Sequence, residues 1–197
     1  MADTLYLASR SPRRRELIKL LGVPTEIIEA ADVDEDLLIS DIVAPPVEIS
    51  LHLSRKKSEL VVDNNPPRYI LCADTSVIYE GELMGKPLDA NDATRMLMLL
   101  SNGWHIVATG ITLISPNDEM ISDFEKTRVK FARLSKEQVE SYVETGEPMD
   151  KAGAYGIQGF AAPFVERIEG CYFNVVGLPL NLLFRTMVKA GFNFTDS

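Results

Sequence analysis

Arg68 to Tyr79 reads Arg-Tyr-Ile-Leu-Cys-Ala-Asp-Thr-Ser-Val-Ile-Tyr, an unbroken apolar run with one carboxylate, Asp74, in its middle. Runs of this kind form strands buried on both faces. An ionised carboxylate in such a strand costs several kcal/mol unless a cation, a metal or hydrogen-bond donors surround it. One reading makes Asp74 a buried acid that caps a turn. The other, favoured because Thr75 and Ser76 add polar groups at the same point, makes it the end of a strand that opens into a cleft.

A second constraint lies at the start of the chain. Leu5-Tyr6-Leu7-Ala8 predicts a short buried strand, Ser9 to Ser11 a polar turn, and Ser11-Pro12 a helix start with serine as the N-cap and proline in the first turn. Arg13, Arg14 and Arg15 then fall where the helix dipole disfavours cations. They are either a solvated basic patch or, together with the free N–H groups of the helix start, a dock for a polyanion such as phosphate.

At 197 residues the chain holds one full hydrophobic core, so a single domain spanning 1–197 is expected. The hydrophobic fraction of 46% with 25% charged residues is that of a folded protein. A formal net charge of −9 argues against extended nucleic acid as a partner, which asks for a broad basic face. Against that acidic background the arginines at 10, 13, 14 and 15 suit a small anion. Two cysteines, Cys72 and Cys171, give no disulfide or metal framework, and His52 and His105 lack ligand spacing. No apolar run approaches the roughly 18 residues that span a bilayer. A cytoplasmic location is expected.

In chain order, Gly22 closes the first helix and Pro24 to Ala30 predicts a strand. Asp32 to Asp36 carries four carboxylates in five positions, either a solvated loop or ligands for a hard cation. Val47 to Val62 predicts a helix in which Ile49, Leu53, Lys57 and Val61 share a face. Lys57 interrupts that apolar stripe, and either snorkels outward or meets an anion at its edge. Glu80 to Leu83 is a tight turn, and Gly85-Lys86-Pro87 a rigid elbow. Asp89 caps a helix that ends at Gly103. Trp104 to Ile114 and Met120 to Leu134 predict a hairpin, and Ser135 with Gln138 a capping box for a helix over Lys136 to Thr145. Asp150 to Phe160 is dense in glycine, which lets backbone approach a ligand or simply turn sharply. Phe164 to Ile168 and Tyr172 to Val176 predict a second hairpin, and Leu180 to Lys189 a last helix before Gly191.

Leu7-Ala8-Ser9-Arg10-Ser11-Pro12-Arg13-Arg14, Val33-Asp34-Glu35, Ala73-Asp74-Thr75, Gly85-Lys86-Pro87, Asp150 to Gly159 and Val176-Gly177-Leu178-Pro179 together resemble the Maf family of nucleoside triphosphate pyrophosphatases. Six separated motifs match in order over nearly the whole chain. The resemblance implies an α/β fold with an elongated mixed sheet flanked by helices, two lobes around a central cleft, related to house-cleaning inosine triphosphatases. It implies cleavage of a nucleoside triphosphate to monophosphate and pyrophosphate with a divalent metal, Mg2+ or Mn2+. By the same carry-over Asp74 is the proton acceptor, Glu35 lies near the metal and phosphates, and Ser9, Arg14, Lys57 and Lys86 hold the triphosphate.

Within that family one subgroup acts on dTTP and UTP and another on 7-methyl-GTP. The first carries Arg in Ser-Pro-Arg-Arg, Thr after the Asp and Gln in Ile-Gln-Gly; the second tends to carry Trp, Gln and Glu there. Arg13, Thr75 and Gln158 match the dTTP/UTP pattern. An amide such as Gln158 both donates and accepts, which suits the edge of thymine or uracil, whereas a cationic 7-methylguanine prefers a carboxylate. The resemblance also implies a homodimer, and it leaves open a 7-methyl-GTP activity or a non-enzymatic role in septum formation.

Overall fold

Leu5 and Leu7 are fully buried on one face of a short strand, β1 (Leu5–Ala8), while Tyr6 and Ala8 face the other way. That alternation makes β1 a strand covered on both sides. The computed structural model describes residues 1–30, 39, 42–62 and 68–195. In it β1 pairs in parallel with β2 (Thr25–Ile28) on one edge and with β3 (Tyr69–Tyr79) on the other. The antiparallel strands β5 (Trp104–Ile114), β6 (Met120–Phe131) and β7 (Val165–Glu169) continue the sheet, and β4 (Glu82–Met84) folds back on β3. Among the described residues this is one seven-stranded mixed sheet of order β2-β1-β3-β5-β6-β7 with β4 beside β3.

Helices cover both faces. On one side, α1 (Pro12–Ile18) puts Leu17 and Ile18 into a large core with Leu5, Leu7, Leu71 and Ala73. Three more helices join that core, α3 (Ala90–Leu100), α4 (Lys136–Glu144) and α6 (Leu180–Lys189), through Leu97, Val139 and Leu183 among others. The opposite face is covered by α2 (Ile49–Val62), whose Val61 packs with Ala8, Ile70, Cys72 and Ile114. Ser50, Ser54 and Ser58 line its buried side at steps of four, and Ser54 Oγ lies 2.9 Å from Thr112 Oγ1 on β5. The approach is close enough that a Cβ on Gly110 would stand 2.4 Å from the Leu51 Cα.

The connections on either side of β1 therefore lie on opposite faces: α1 leads to β2, and α2 leads back past β1 to β3. Where neighbouring parallel strands are wound in opposite senses, a crevice opens at their carboxyl ends. Here the crevice is widened by register. β5 occupies one edge of β3 from Ile70 to Ile78, whereas on the other edge β1 pairs only as far as Leu71 and β4 begins at Val77. Residues 72–76 of β3, including Asp74 and Thr75, face a gap in that ladder.

The predicted caps are present: Ser11 on α1, Asp89 on α3, and the Ser135–Gln138 capping box on α4. One expected element is different. The apolar run Tyr172 to Val176 is the short helix α5 (Tyr172–Val176), and β7 pairs with β6. The reason is polar. The Asn174 amide is fully buried and donates to Val107 O and Thr127 Oγ1, both at 2.9 Å, while Thr127 Oγ1 also accepts from Cys171 N at 3.0 Å. These bonds use both donors of the amide NH2 in a helical turn that stands on the sheet, though Asn174 Oδ1 has no hydrogen-bond partner among the described residues, and a strand at the same place would leave the NH2 buried without them.

Candidate active site

The conflict between Arg14 and the dipole of its own helix is resolved by three acceptors outside that helix. Arg14 Nε donates to Gly177 O at 2.8 Å, Nη1 to Ala73 O at 2.8 Å and Nη2 to Thr75 Oγ1 at 2.9 Å. The Ala73 carbonyl lies in the gap between β1 and β4, so the guanidinium bridges an edge that no strand covers there.

The hydroxyls beyond it form a chain with a fixed direction. A guanidinium only donates and a carbonyl only accepts. Thr75 Oγ1 accepts from Arg14 and lies 2.9 Å from Thr109 Oγ1, which donates to Asn174 O at 2.9 Å. Thr109 has one proton, spent on Asn174, so Thr75 must donate to Thr109. The order runs Arg14, Thr75, Thr109, Asn174 carbonyl, and it anchors Arg14 to β5 and α5.

Asp74 lies on the other face of β3, with Ile70 and Cys72, because successive strand residues alternate. It is 6% exposed, and its Oδ1 accepts from Lys57 Nζ at 2.5 Å. Lys57 is thus the lysine that meets an anion at the edge of its stripe, and that anion is Asp74. The pair joins α2 to β3 and supplies the cation that the buried acid requires. Asp74 and Thr75, adjacent in sequence, serve opposite sides of the sheet.

The remaining predicted residues surround this gap or lie beside it. Ser9 is buried, its Oγ accepting from Ser11 N at 3.2 Å. Its carbonyl takes Arg15 Nε at 3.1 Å and Nη2 at 3.0 Å, so Arg15, given no role from sequence, fixes the loop after β1. Arg13 is half-buried on α1. Its charge reaches Asp150: burial pushes that carboxyl up, but the Lys151 hydrogen bond and the Lys151 and Arg13 charges outweigh it and hold Asp150 below the ordinary range. Lys86 and Gln158 are exposed. Their segments are tied together by Gly153 N donating to Gly85 O at 3.0 Å. Glu35 and its neighbours lie outside the described residues.

Among the described residues no group of three or more His, Cys, Asp or Glu is placed to hold a metal. A Mg2+ or Mn2+ ion carried on a triphosphate needs only one or two protein carboxylates, since phosphate oxygens and water complete its shell. Asp74 at the sheet gap is one such carboxylate, with its Oδ1 already paired to Lys57, so its chemistry fits a cation carried on a phosphate ligand.

Sequence reasoning missed Thr109 and Asn174, and it marked Gly177 only within a family motif, without a role. The first two carry the signal that exposed Asp74, a polar residue inside an otherwise apolar run; Gly177 sits at φ 120°, a conformation that L side chains rarely adopt.

Residues 4–190 match the family model described as Maf-like protein. The chain is 46% identical over 187 residues to a protein of Geobacillus sp. named dTTP/UTP pyrophosphatase, covering 95% of this chain and 98% of that one. It is 45% identical over 188 residues to a Symbiobacterium thermophilum protein of the same name, covering 95% and 94%. A Carboxydothermus hydrogenoformans protein, again of that name, is 46% identical over 189 residues, covering 95% and 99%. Among solved structures, a HAM1 protein from Coxiella burnetii aligns over 94% of this chain and 98% of that one with a TM-score of 0.48 and 14% identity.

Proposed function

We propose, from the premise that this chain belongs to the Maf family, that it is a nucleoside triphosphate pyrophosphatase hydrolysing dTTP and UTP to the monophosphate and pyrophosphate. The observation that carries this reading is the near full-length identity to relatives of that name, 46% in the Geobacillus case. Arg13, Thr75 and Gln158 support it, each the residue expected of the dTTP/UTP subgroup.

Water attacks the α-phosphorus, the bond from that phosphorus to the bridging oxygen breaks, and pyrophosphate leaves. Asp74 orients the water and accepts its proton, with Lys57 pairing the carboxylate charge from α2. Ser9, Arg13, Arg14, Lys57 and Lys86 bind and orient the triphosphate around the gap beside β3, where the charge of the two arginines and two lysines stabilises the transition state. Asp74, with Glu35, would hold the divalent cation, which when bound neutralises phosphate charge. Gln158 reads the pyrimidine edge. Thr75 acts from the other face, through Arg14. The same reading carries a homodimer and a cytoplasmic location; no helix among the described residues is long and apolar enough to cross a membrane.

The test is pyrophosphate release with Mg2+ over a panel of dTTP, UTP, CTP, ATP, GTP and 7-methyl-GTP. Release from dTTP and UTP above the others is expected, and Asp74→Asn should abolish it while the melting transition stays cooperative. A preference for 7-methyl-GTP, or nucleotide binding without release, overturns the reading; near-normal hydrolysis by Asp74→Asn removes that residue from the chemistry.

A further inference from the structure

Gln158 is exposed, and no described group hydrogen-bonds its side chain, so its position is set by the backbone that carries it. That backbone is a tight turn closed by Gly159 N donating to Gly156 O at 3.0 Å. Beneath it lies Glu147, from the short 3-10 turn Glu147–Asp150 that follows α4. Its Oε2 accepts from Phe160 N at 3.0 Å, and its Oε1 accepts from Tyr142 OH at 2.9 Å. The Tyr142 oxygen in turn accepts from Gly156 N at 3.3 Å. One carboxylate therefore holds both ends of the turn, one directly and one through a phenol. The fit is close: a Cβ on Gly159 would stand 2.0 Å from Glu147 Oε1, so the carboxylate fills the space a side chain there would take. Burial, and then the bond to Glu147, push the Tyr142 hydroxyl up beyond the ordinary phenol range, so it stays an O–H donor at any working pH.

Building on the reading of Gln158 as the pyrimidine contact, we infer that Glu147, with Tyr142, is a positioning residue for base recognition. It fixes the Gly156–Gly159 turn so that the Gln158 amide presents its donor and acceptor in register with the base. Without the carboxylate, Phe160 N and the Tyr142 hydroxyl lose their acceptor and the turn relaxes, whereas Asp74 on β3 and Lys57 on α2 are untouched. The loss falls on selectivity and KM, and the chemical step is spared.

The experiment is steady-state kinetics on dTTP, UTP and CTP for Glu147→Ala, Glu147→Gln and Tyr142→Phe, each checked by thermal melting. Losing a charge-assisted bond to the turn should raise KM for dTTP about tenfold in Glu147→Ala. Its kcat should stay within about twofold, and its dTTP-over-CTP ratio should fall in proportion, because the lost bonds orient the base and leave the reacting atoms alone. Glu147→Gln, whose amide oxygen still accepts from Phe160 N and whose NH2 donates to the Tyr142 oxygen, should keep most of the selectivity. If Glu147→Ala does not fold, Tyr142→Phe removes only the hydroxyl and should shift KM and selectivity in the same direction by a smaller factor. An unchanged dTTP-over-CTP ratio in the folded variants, or a fall in kcat at constant KM, overturns the role of Glu147. Failure of the parent protein to turn over dTTP and UTP would instead overturn the functional reading it rests on.

Discussion

Thr109→Val replaces a fully buried hydroxyl with a methyl of the same shape, and the structure says what is lost. The Thr75 hydroxyl loses its acceptor, and Asn174 O loses one of two donors but keeps Gly177 N at 3.0 Å. No carbonyl is orphaned, so the cost is two net hydrogen bonds, about 2 kcal/mol. For a domain of this size that is a fall in melting temperature of about 4–8 °C. The functional effect follows from the direction of the chain: a Thr75 hydroxyl no longer held by Thr109 can turn, and Arg14 loses the anchor that oriented its acceptor. KM for dTTP should rise severalfold with kcat little changed. Thr109→Ser keeps the oxygen and loses one methyl, about 1 kcal/mol, so it should lose stability without a change in KM. Thermal melts and initial-rate kinetics on the three proteins decide it. A Thr109→Val protein that melts within 1 °C of the parent with unchanged KM would refute the chain, and a serine variant with the valine kinetics would show that packing, not the hydroxyl, is responsible.

Two further outcomes are expected. Burial pushes His105 down to about 3, and among the described residues its Nδ1 has no hydrogen-bond partner. Its folded value is below the unfolded 6.5, so its contribution is complete above pH 6.5 and is lost as pH falls from 6.5 toward 3, where the unfolded chain takes up a proton the folded one refuses. That slope, roughly 1.4 kcal/mol per pH unit, removes about 2 kcal/mol by pH 5. Denaturant melts at pH 7 and 5 should show it, and His105→Gln should flatten it; an equal slope in that variant assigns the acid sensitivity elsewhere. Gly110→Ala should cost about 3 kcal/mol or more, because its Cβ would meet the backbone of Leu51, and α2 must move to make room. As Lys57 rides on that helix, kcat should fall as well; an alanine variant with parental stability and rate would mean that α2 tolerates displacement.

Most of the strand and helix pattern was legible because it rests on local rules. Ser11-Pro12, Asp89 and Ser135 with Gln138 announce their helices, and the step of four from Ile49 to Val61 placed Lys57 on the buried side of α2. What failed was the apolar run Tyr172 to Val176, whose aromatic and β-branched residues favour a strand while its fate is decided by Asn174, which finds its acceptors on β5 and β6. No local pattern contains that choice. The site was legible in part for the same reason. A buried Asp must have a partner, and Lys57 was a visible candidate, but the partners of Arg14 come from residues 73, 75 and 177, distances in sequence that only the fold closes. Glu147 drew no reading from the sequence, because its partner Phe160 is 13 residues away and no local pattern joins them.

On the function proposed above, the separation of Asp74 from Thr75 would let a motif of two adjacent residues hold chemistry constant while recognition varies. In a strand, neighbouring side chains have no surface in common. Asp74 answers to Lys57 and the α2 face; Thr75 answers to Arg14, Thr109 and the α1 face. Replacing Thr75 by the Gln of the sister subgroup would therefore disturb the hydroxyl chain and the setting of Arg14 while leaving the carboxylate and its lysine in place. A strand with the acid and the selective residue two apart would put both on one face, where any change of substrate would press on the acid. The gap between β1 and β4 completes the arrangement, since only where the edge of β3 is uncovered can one ligand reach groups on both faces.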